Sequence, residues 1–113
     1  MHELGILFSV VRTVETFARE NQVEEIQTLV LQVGELSPVV PHYIEACYPA
    51  AVDGTMLQDT ELKIEVTPGN VLCKGCNKVY RLLEHKGVCP HCGGREYEIL
   101  SGKEFLIKEI VAC

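Results

Sequence analysis

Two Cys-x-x-Cys pairs, Cys73-Lys74-Gly75-Cys76 and Cys89-Pro90-His91-Cys92, constrain this chain more than any other stretch. Each pair can place two thiolates on one side of a tight turn, and twelve residues separate the pairs. Two such turns facing each other supply four sulfurs at the corners of a tetrahedron, the closed arrangement that Zn(II) prefers in structural sites. The neighbouring residues suit the turns. Gly75 lies inside the first and Gly93-Gly94 follow the second, where the backbone must bend to point N–H groups at sulfur. Pro90 stiffens the second turn. Val79-Tyr80-Arg81-Leu82-Leu83 and Tyr97-Glu98-Ile99-Leu100 read as hairpin-like pieces around the ligands. The spacing predicts a zinc ribbon.

Other chemistries explain the four cysteines less well. Two disulfides would need an oxidising compartment, and nothing in the sequence suggests one. A redox Cys-x-x-Cys is normally a single pair near a βαβ unit. Four thiolates also suit iron, as in a rubredoxin-like electron carrier. Four sulfurs leave no coordination position for water, so the zinc is expected to be structural. The ribbon, about Val71 to Leu100, is shorter than the ~40 residues below which a domain usually needs a metal. Its folding energy is expected to come largely from zinc. Cys47 reads as a small core residue and Cys113 as an exposed thiol. With most cysteines in metal spacing, a reducing cytoplasm is the expected compartment.

Charge narrows the function further. The net charge is −6, but residues 71–98 hold five cations against three carboxylates, so the remainder carries −8. An acidic body argues against general nucleic-acid binding, which rests on phosphate neutralisation. No nucleophile has an adjacent base, and no open metal position is backed by a general base, so no enzymatic reaction is expected. No signal peptide is expected: the opening apolar run is short, lacks a basic start and is broken by Arg12 and Glu15. No run approaches the ~20 apolar residues of a membrane span.

Taken in order, apolar residues recur at Leu4, Leu7, Phe8, Val11, Val14 and Ala18, with Phe17 beside them, which predicts a helix ending near Asn21-Gln22. Residues 24–33 switch to period two, with Leu29, Leu31 and Val33 on one face of a strand. Gly34-Glu35-Leu36-Ser37-Pro38 is a turn, and Pro41 suits the start of a second helix over about 42–52. Pro49 is expected to kink that helix or end it early. Leu62, Ile64 and Val66 alternate along a second strand, and Pro68-Gly69-Asn70 mark the exit into the ribbon. Ser101-Gly102 reads as a hinge, as does Pro68-Gly69. Phe105, Ile107 and Val111 alternate along a third strand, with Leu106 and Ile110 on its other side. That strand has no local partner, so it is expected to return to the first two. The fold class is therefore α+β: a small three-stranded antiparallel sheet with two helices, plus an inserted zinc-ribbon domain. The expected division is residues 1–69 with 102–113, and residues 70–101.

His2 gives the amino terminus a chemistry of its own. The Met1 amine and the His2 backbone nitrogen close a five-membered chelate ring. That nitrogen and the imidazole Nδ1 close a six-membered one. Planar nitrogen donors suit Ni(II) or Cu(II). The fourth position is open to Glu3 or to a distant side chain. His42 reads as a surface residue, His85 lies in a charged turn, and His91 is expected to face solvent beside a filled site.

Met1-His2-Glu3-Leu4, then Val33-Gly34-Glu35-Leu36-Ser37 with Val40-Pro41, then two Cys-x-x-Cys pairs, occur here in one chain. This pattern resembles the HypA/HybF family of hydrogenase maturation factors over essentially the whole sequence. The resemblance implies a nickel metallochaperone that takes part in loading nickel into nickel-iron hydrogenase. It implies the GTPase HypB and the hydrogenase large subunit as partners, and in some organisms delivery to urease. It makes His2 the nickel ligand, with Met1 and Glu3 as secondary donors, and Cys73, Cys76, Cys89 and Cys92 the zinc ligands. A homodimer is compatible with the sequence. The competing reading is a zinc-ribbon module that binds nucleic acid or protein.

Overall fold

The computed structural model describes residues 2–112, with side chains from Glu3 onward. Helix α1 spans His2–Glu20, strand β1 Ile26–Gly34, helix α2 Pro41–Val52 and strand β2 Glu61–Thr67. The three short strands β3 (Asn70–Cys73), β4 (Val79–Arg81) and β5 (Tyr97–Ile99) follow, and β6 (Phe105–Ala112) closes the chain.

Helix α1 buries Leu7, Val10, Val11, Val14 and Ala18, an apolar stripe at helical spacing. Phe8 and Phe17, counted with that stripe in the sequence, lie on its flanks and are 47% and 42% exposed. The helix ends where Gln22 takes a left-handed φ of 56° and the Val23 N–H reaches the Ala18 carbonyl at 2.8 Å. That 6→1 bond satisfies a carbonyl the helix would otherwise leave free. Helix α2 opens on Pro41 and runs through Pro49 to Val52 without ending early. Pro49 is tolerated because it faces solvent, where water can meet the freed Glu45 carbonyl, while Ile44, Tyr48, Ala51 and Val52 face the core.

The main sheet has the order β2-β1-β6. It is mixed, not all antiparallel as the alternation had suggested. Strand β6 runs antiparallel to β1, pairing Leu31 with Ile107 and Val33 with Phe105. Strand β2 runs parallel to β1, pairing Leu29 with Leu62 and Leu31 with Ile64. The reason is α2, which carries the chain back across one face so that β2 restarts in the direction of β1. The returning strand therefore meets β1 only. Its face assignment also changes part-way. Val30 opposes Glu109 and Leu31 opposes Ile107, so Lys108 is an extra residue. This bulge turns Ile110, expected on the far side, back against the core.

Both helices contribute to one core with β1, whose Leu29, Leu31 and Val33 are fully buried. Ile6, Ser9 and Val10 of the first half of α1 lie beside Phe105–Ile107, which pair with the last residues of β1. Helix α1 thus runs back along β1. Nineteen helical residues reach about 28 Å and nine strand residues about 30 Å. The first half of α1 therefore lies toward the end of the sheet at which β1 finishes.

The ribbon leaves from that same end. Its sheet, order β4-β3-β5, is antiparallel throughout. Strand β3 is its centre; it begins at Asn70, the last residue of the Pro68-Gly69-Asn70 exit, where the sequence had suggested no strand. The two connections run side by side. A Cβ on Gly34 would overlap the Gly102 carbonyl, one on Gly69 would overlap Leu36, and one on Gly102 would meet the Gly69 backbone. These glycines allow backbones to touch. The molecule is 54 Å long with a radius of gyration of 17.6 Å, against about 13 Å for a compact chain of this length. The ribbon therefore projects from the body.

Candidate metal centres

The two Cys-x-x-Cys turns are built alike. In the first, the Cys73 N–H donates to the Lys78 carbonyl at 2.9 Å and the Asn77 N–H to the Cys73 carbonyl at 2.8 Å. In the second, the Cys89 N–H donates to the Gly94 carbonyl at 2.9 Å and the Gly93 N–H to the Cys89 carbonyl at 2.9 Å. Asn77 and Gly93 occupy equivalent positions, with φ of 60° and 75°. Asparagine is among the few side chains that accept this conformation. Each turn then aims amides at sulfur. The Gly75 N–H points at Cys73 Sγ at 3.3 Å and the His91 N–H at Cys89 Sγ at 3.4 Å. The Lys78 and Gly94 amides do the same for Cys76 and Cys92.

The four Sγ atoms lie within 4.8 Å of one another. The facing pairs Cys73–Cys92 and Cys76–Cys89 are 3.5 and 3.6 Å apart. A disulfide would need about 2.05 Å. Sulfurs at about 2.3 Å from a tetrahedral zinc stand about 3.8 Å apart, so the cluster has the dimensions of a four-thiolate zinc site. Its electrostatics agree. Burial opposes ionisation of Cys89, but the Cys92 and His91 amides and the neighbouring thiols outweigh it and bring the thiol down to about 7. The Gly94 amide favours the Cys92 thiolate, yet Cys73 and burial overrule it and push the group up to about 12. The cluster thus favours one thiolate and resists the next. A divalent cation is what allows four to coexist, and soft sulfur donors fit Zn(II).

Among the described residues, no histidine side chain joins this cluster. His91 is exposed, and His85 packs edge-on to Tyr80 with ring centroids 6.0 Å apart. His42 is exposed beside Tyr43. Cys47 is partly buried against the core, as expected, and Cys113 lies outside the described residues.

Of the amino-terminal donors, Met1 and the His2 side chain also lie outside the described residues. The helix begins at His2, and Glu3 sits in its first turn, only 8% exposed. The first amides of a helix have no acceptor within it, so the His2 nitrogen is not committed to the helical ladder.

Sequence reasoning missed Glu35 and Arg81. Arg81 Nε donates to Glu35 Oε1 at 3.0 Å and Arg81 Nη2 to Oε2 at 2.7 Å. The Gly69 N–H donates to Oε1 at 2.7 Å. The Arg81 hydrogen bonds first, then that of Gly69, hold the carboxyl at about 2.

A small α+β body bearing an inserted ribbon with four converging sulfurs defines the class: a protein built to hold metal, with no membrane-spanning helix among its described residues. A family described as "Hydrogenase/urease nickel incorporation, metallochaperone, hypA" matches residues 1–112. Hydrogenase maturation factor HypA of Prosthecochloris aestuarii is 37% identical over 110 residues, covering 97% of each chain. The factor of the same name from Aquifex aeolicus is 32% identical over 110 residues, covering 97% of this chain and 96% of its own. The solution structure of the Ni metallochaperone HypA from Helicobacter pylori matches with a TM-score of 0.66 at 23% identity, over 97% of this chain and 96% of that one. A second solution structure of a HypA protein gives 0.71 at 24% identity, over 100% and 97%. These two likenesses speak to the fold. The chain belongs to the HypA family of nickel metallochaperones for hydrogenase maturation. The reading as a nucleic-acid or protein-binding ribbon module is not the one the family favours.

Proposed function

We propose that this metallochaperone binds its nickel at the amino terminus and keeps zinc in the ribbon. The observation that carries this reading is the family match from residue 1 to residue 112, which takes in both metal-binding motifs. In this reading Cys73, Cys76, Cys89 and Cys92 hold the zinc, which serves to fold the ribbon. Residues 1–69 with 102–113 form the nickel-binding body, and residues 70–101 the ribbon domain. The Met1 amine, the His2 amide nitrogen and the His2 imidazole chelate the nickel, with Glu3 as a secondary donor. A site with few protein donors can be dismantled by a recipient, whereas four anionic sulfurs bind as part of folding. The protein carries and hands over; it does not turn over a substrate. It acts in the cytoplasm with the GTPase HypB and the hydrogenase large subunit, not with nucleic acid or membrane, and a homodimer is compatible with this role.

Two measurements test the nickel site. His2→Ala is expected to abolish nickel binding in calorimetry and leave zinc content and fold intact; wild-type affinity in that variant would exclude His2. Residues left before Met1 by an uncleaved tag remove the chelating amine. Tagged protein should bind nickel weakly, and equal affinity with and without the tag would discard the amine as a donor.

A further inference from the structure

One carboxylate ties the ribbon to the end of the body where α1 begins. Glu35 stands just beyond β1. Its two oxygens receive the Arg81 fork at 3.0 and 2.7 Å, and Oε1 also receives the Gly69 N–H at 2.7 Å. Arg81 is the last residue of β4, and Gly69 immediately precedes β3. The carboxylate thus grips the ribbon at its outer strand and holds the residue that leads into it. A fork-to-carboxylate pair fixes a plane as well as a distance. Isolated surface pairs hold little, but the Glu35 side chain is only 11% exposed. The surrounding backbone brings the two connections into contact. The Leu36 N–H donates to the Gly102 carbonyl at 2.8 Å, the Leu82 N–H to the Gly69 carbonyl at 2.9 Å, and Gly34, Gly69 and Gly102 interlock. Connections of Pro-Gly and Ser-Gly suggest a swivel in sequence; in space they are a filled joint.

We propose that Glu35 is a positioning residue for nickel delivery, fixing the ribbon relative to the amino terminus so that a recipient protein meets both as one surface. Glu35 contacts no metal in this role. The delivery half rests on the nickel-carrier reading above; the orientation half does not.

The test uses the full zinc-loaded chain. Residual dipolar couplings are fitted separately for body and ribbon amides in wild type, Arg81→Ala and Glu35→Gln. The wild type should give one shared alignment tensor and Arg81→Ala two distinct ones. Arg81 is half exposed, so its truncation should leave the ribbon folded, with full zinc content as the control. Glu35→Gln keeps an acceptor for the Gly69 N–H and should fall between. Nickel affinity and the rate of nickel loss to a small chelator should match wild type in both variants. Transfer to the apo hydrogenase large subunit should slow about tenfold or more in Arg81→Ala, the scale on which lost alignment is felt. Arg81→Lys, which keeps the charge without the fork, should recover part of that loss. A shared tensor in Arg81→Ala overturns the latch. Distinct tensors with an unchanged transfer rate overturn the delivery role. Wild-type protein that takes up no nickel overturns the carrier reading and the delivery role with it, while the tensors still decide the latch.

Discussion

Leu7, Val14, Leu29, Leu31, Val33, Ile44 and Leu57 of the body are wholly shielded from solvent; in the ribbon the same holds for Val71 and Cys73 alone. The body can therefore rely on burying apolar surface, at roughly 25 cal/mol per Å². The ribbon cannot. Its cluster is Val71, Tyr80 and two sulfurs, with Cys76 and Leu82 alongside, and even the Tyr80 hydroxyl is buried without a partner. The difference shows that two units of one short chain can have separate sources of order. One is spread over many side chains, so no single group decides it. The other is concentrated at one point among four cysteines.

That contrast can be broken by attacking each source separately. Removing zinc with a strong chelator should have the largest effect, because a structural zinc binds with about 10–16 kcal/mol in small domains. Amide signals of residues 70–101 should collapse to unfolded positions while those of the body stay dispersed. A dispersed ribbon in metal-free protein would end the distinction. Leu31→Ala attacks the other side. It should cost about 2–5 kcal/mol of body stability in urea unfolding, as for other fully buried leucines, with zinc content unchanged. Zinc loss in parallel would mean that the two units fold as one. The smallest expected effect is that of mild acid on the joint. The Glu35 carboxyl is held below its ordinary value, at about 2, so its contribution is complete above 4.5 and lost only as pH falls from 4.5 toward 2. The proposed nickel donors compete with protons much higher, near the ordinary ~7.7–8.0 of an amine and ~6.5 of imidazole. Lowering pH through 6 or so should therefore shed nickel while the body and ribbon keep one alignment tensor. Divergence of the tensors in that range would show another titrating contact in the joint.

The ribbon site was legible because spacing alone states it: two pairs of thiols at turn spacing need little else from the fold. The positions of α1, β1 and α2 followed from periodicity and from Pro41. Strand direction was not legible. Leu62 and Ile64 alternate identically whichever way β2 runs, and only the path of α2 decides it. The Lys108 bulge was hidden for a related reason: an inserted residue looks like continued strand until its partner is known. Phe8 and Phe17 show the limit of counting apolar residues on a helix, since the width of the covered stripe depends on what packs there. Glu35 looked like part of a turn because its partner lies 46 residues further on. The Gly34-Glu35-Leu36 run owes its composition to that joint: a glycine that must lie against Gly102, an acid that must reach Arg81, and an apolar side chain over Gly69.

The placement of β6 has a consequence for how the chain matures. Its partner β1 is synthesised early, yet the sheet stays incomplete until residues 105–112 emerge, with the entire ribbon in between. An unfolded intervening segment makes that late pairing entropically costly. In the folded ribbon the Leu100 N–H meets the Asn70 carbonyl at 2.8 Å, so the first and last residues of the detour are already neighbours. Once metallated, a thirty-residue excursion behaves as a short bridge. An ion that touches no side chain of the larger unit would thereby shorten the search by which its last strand finds β1.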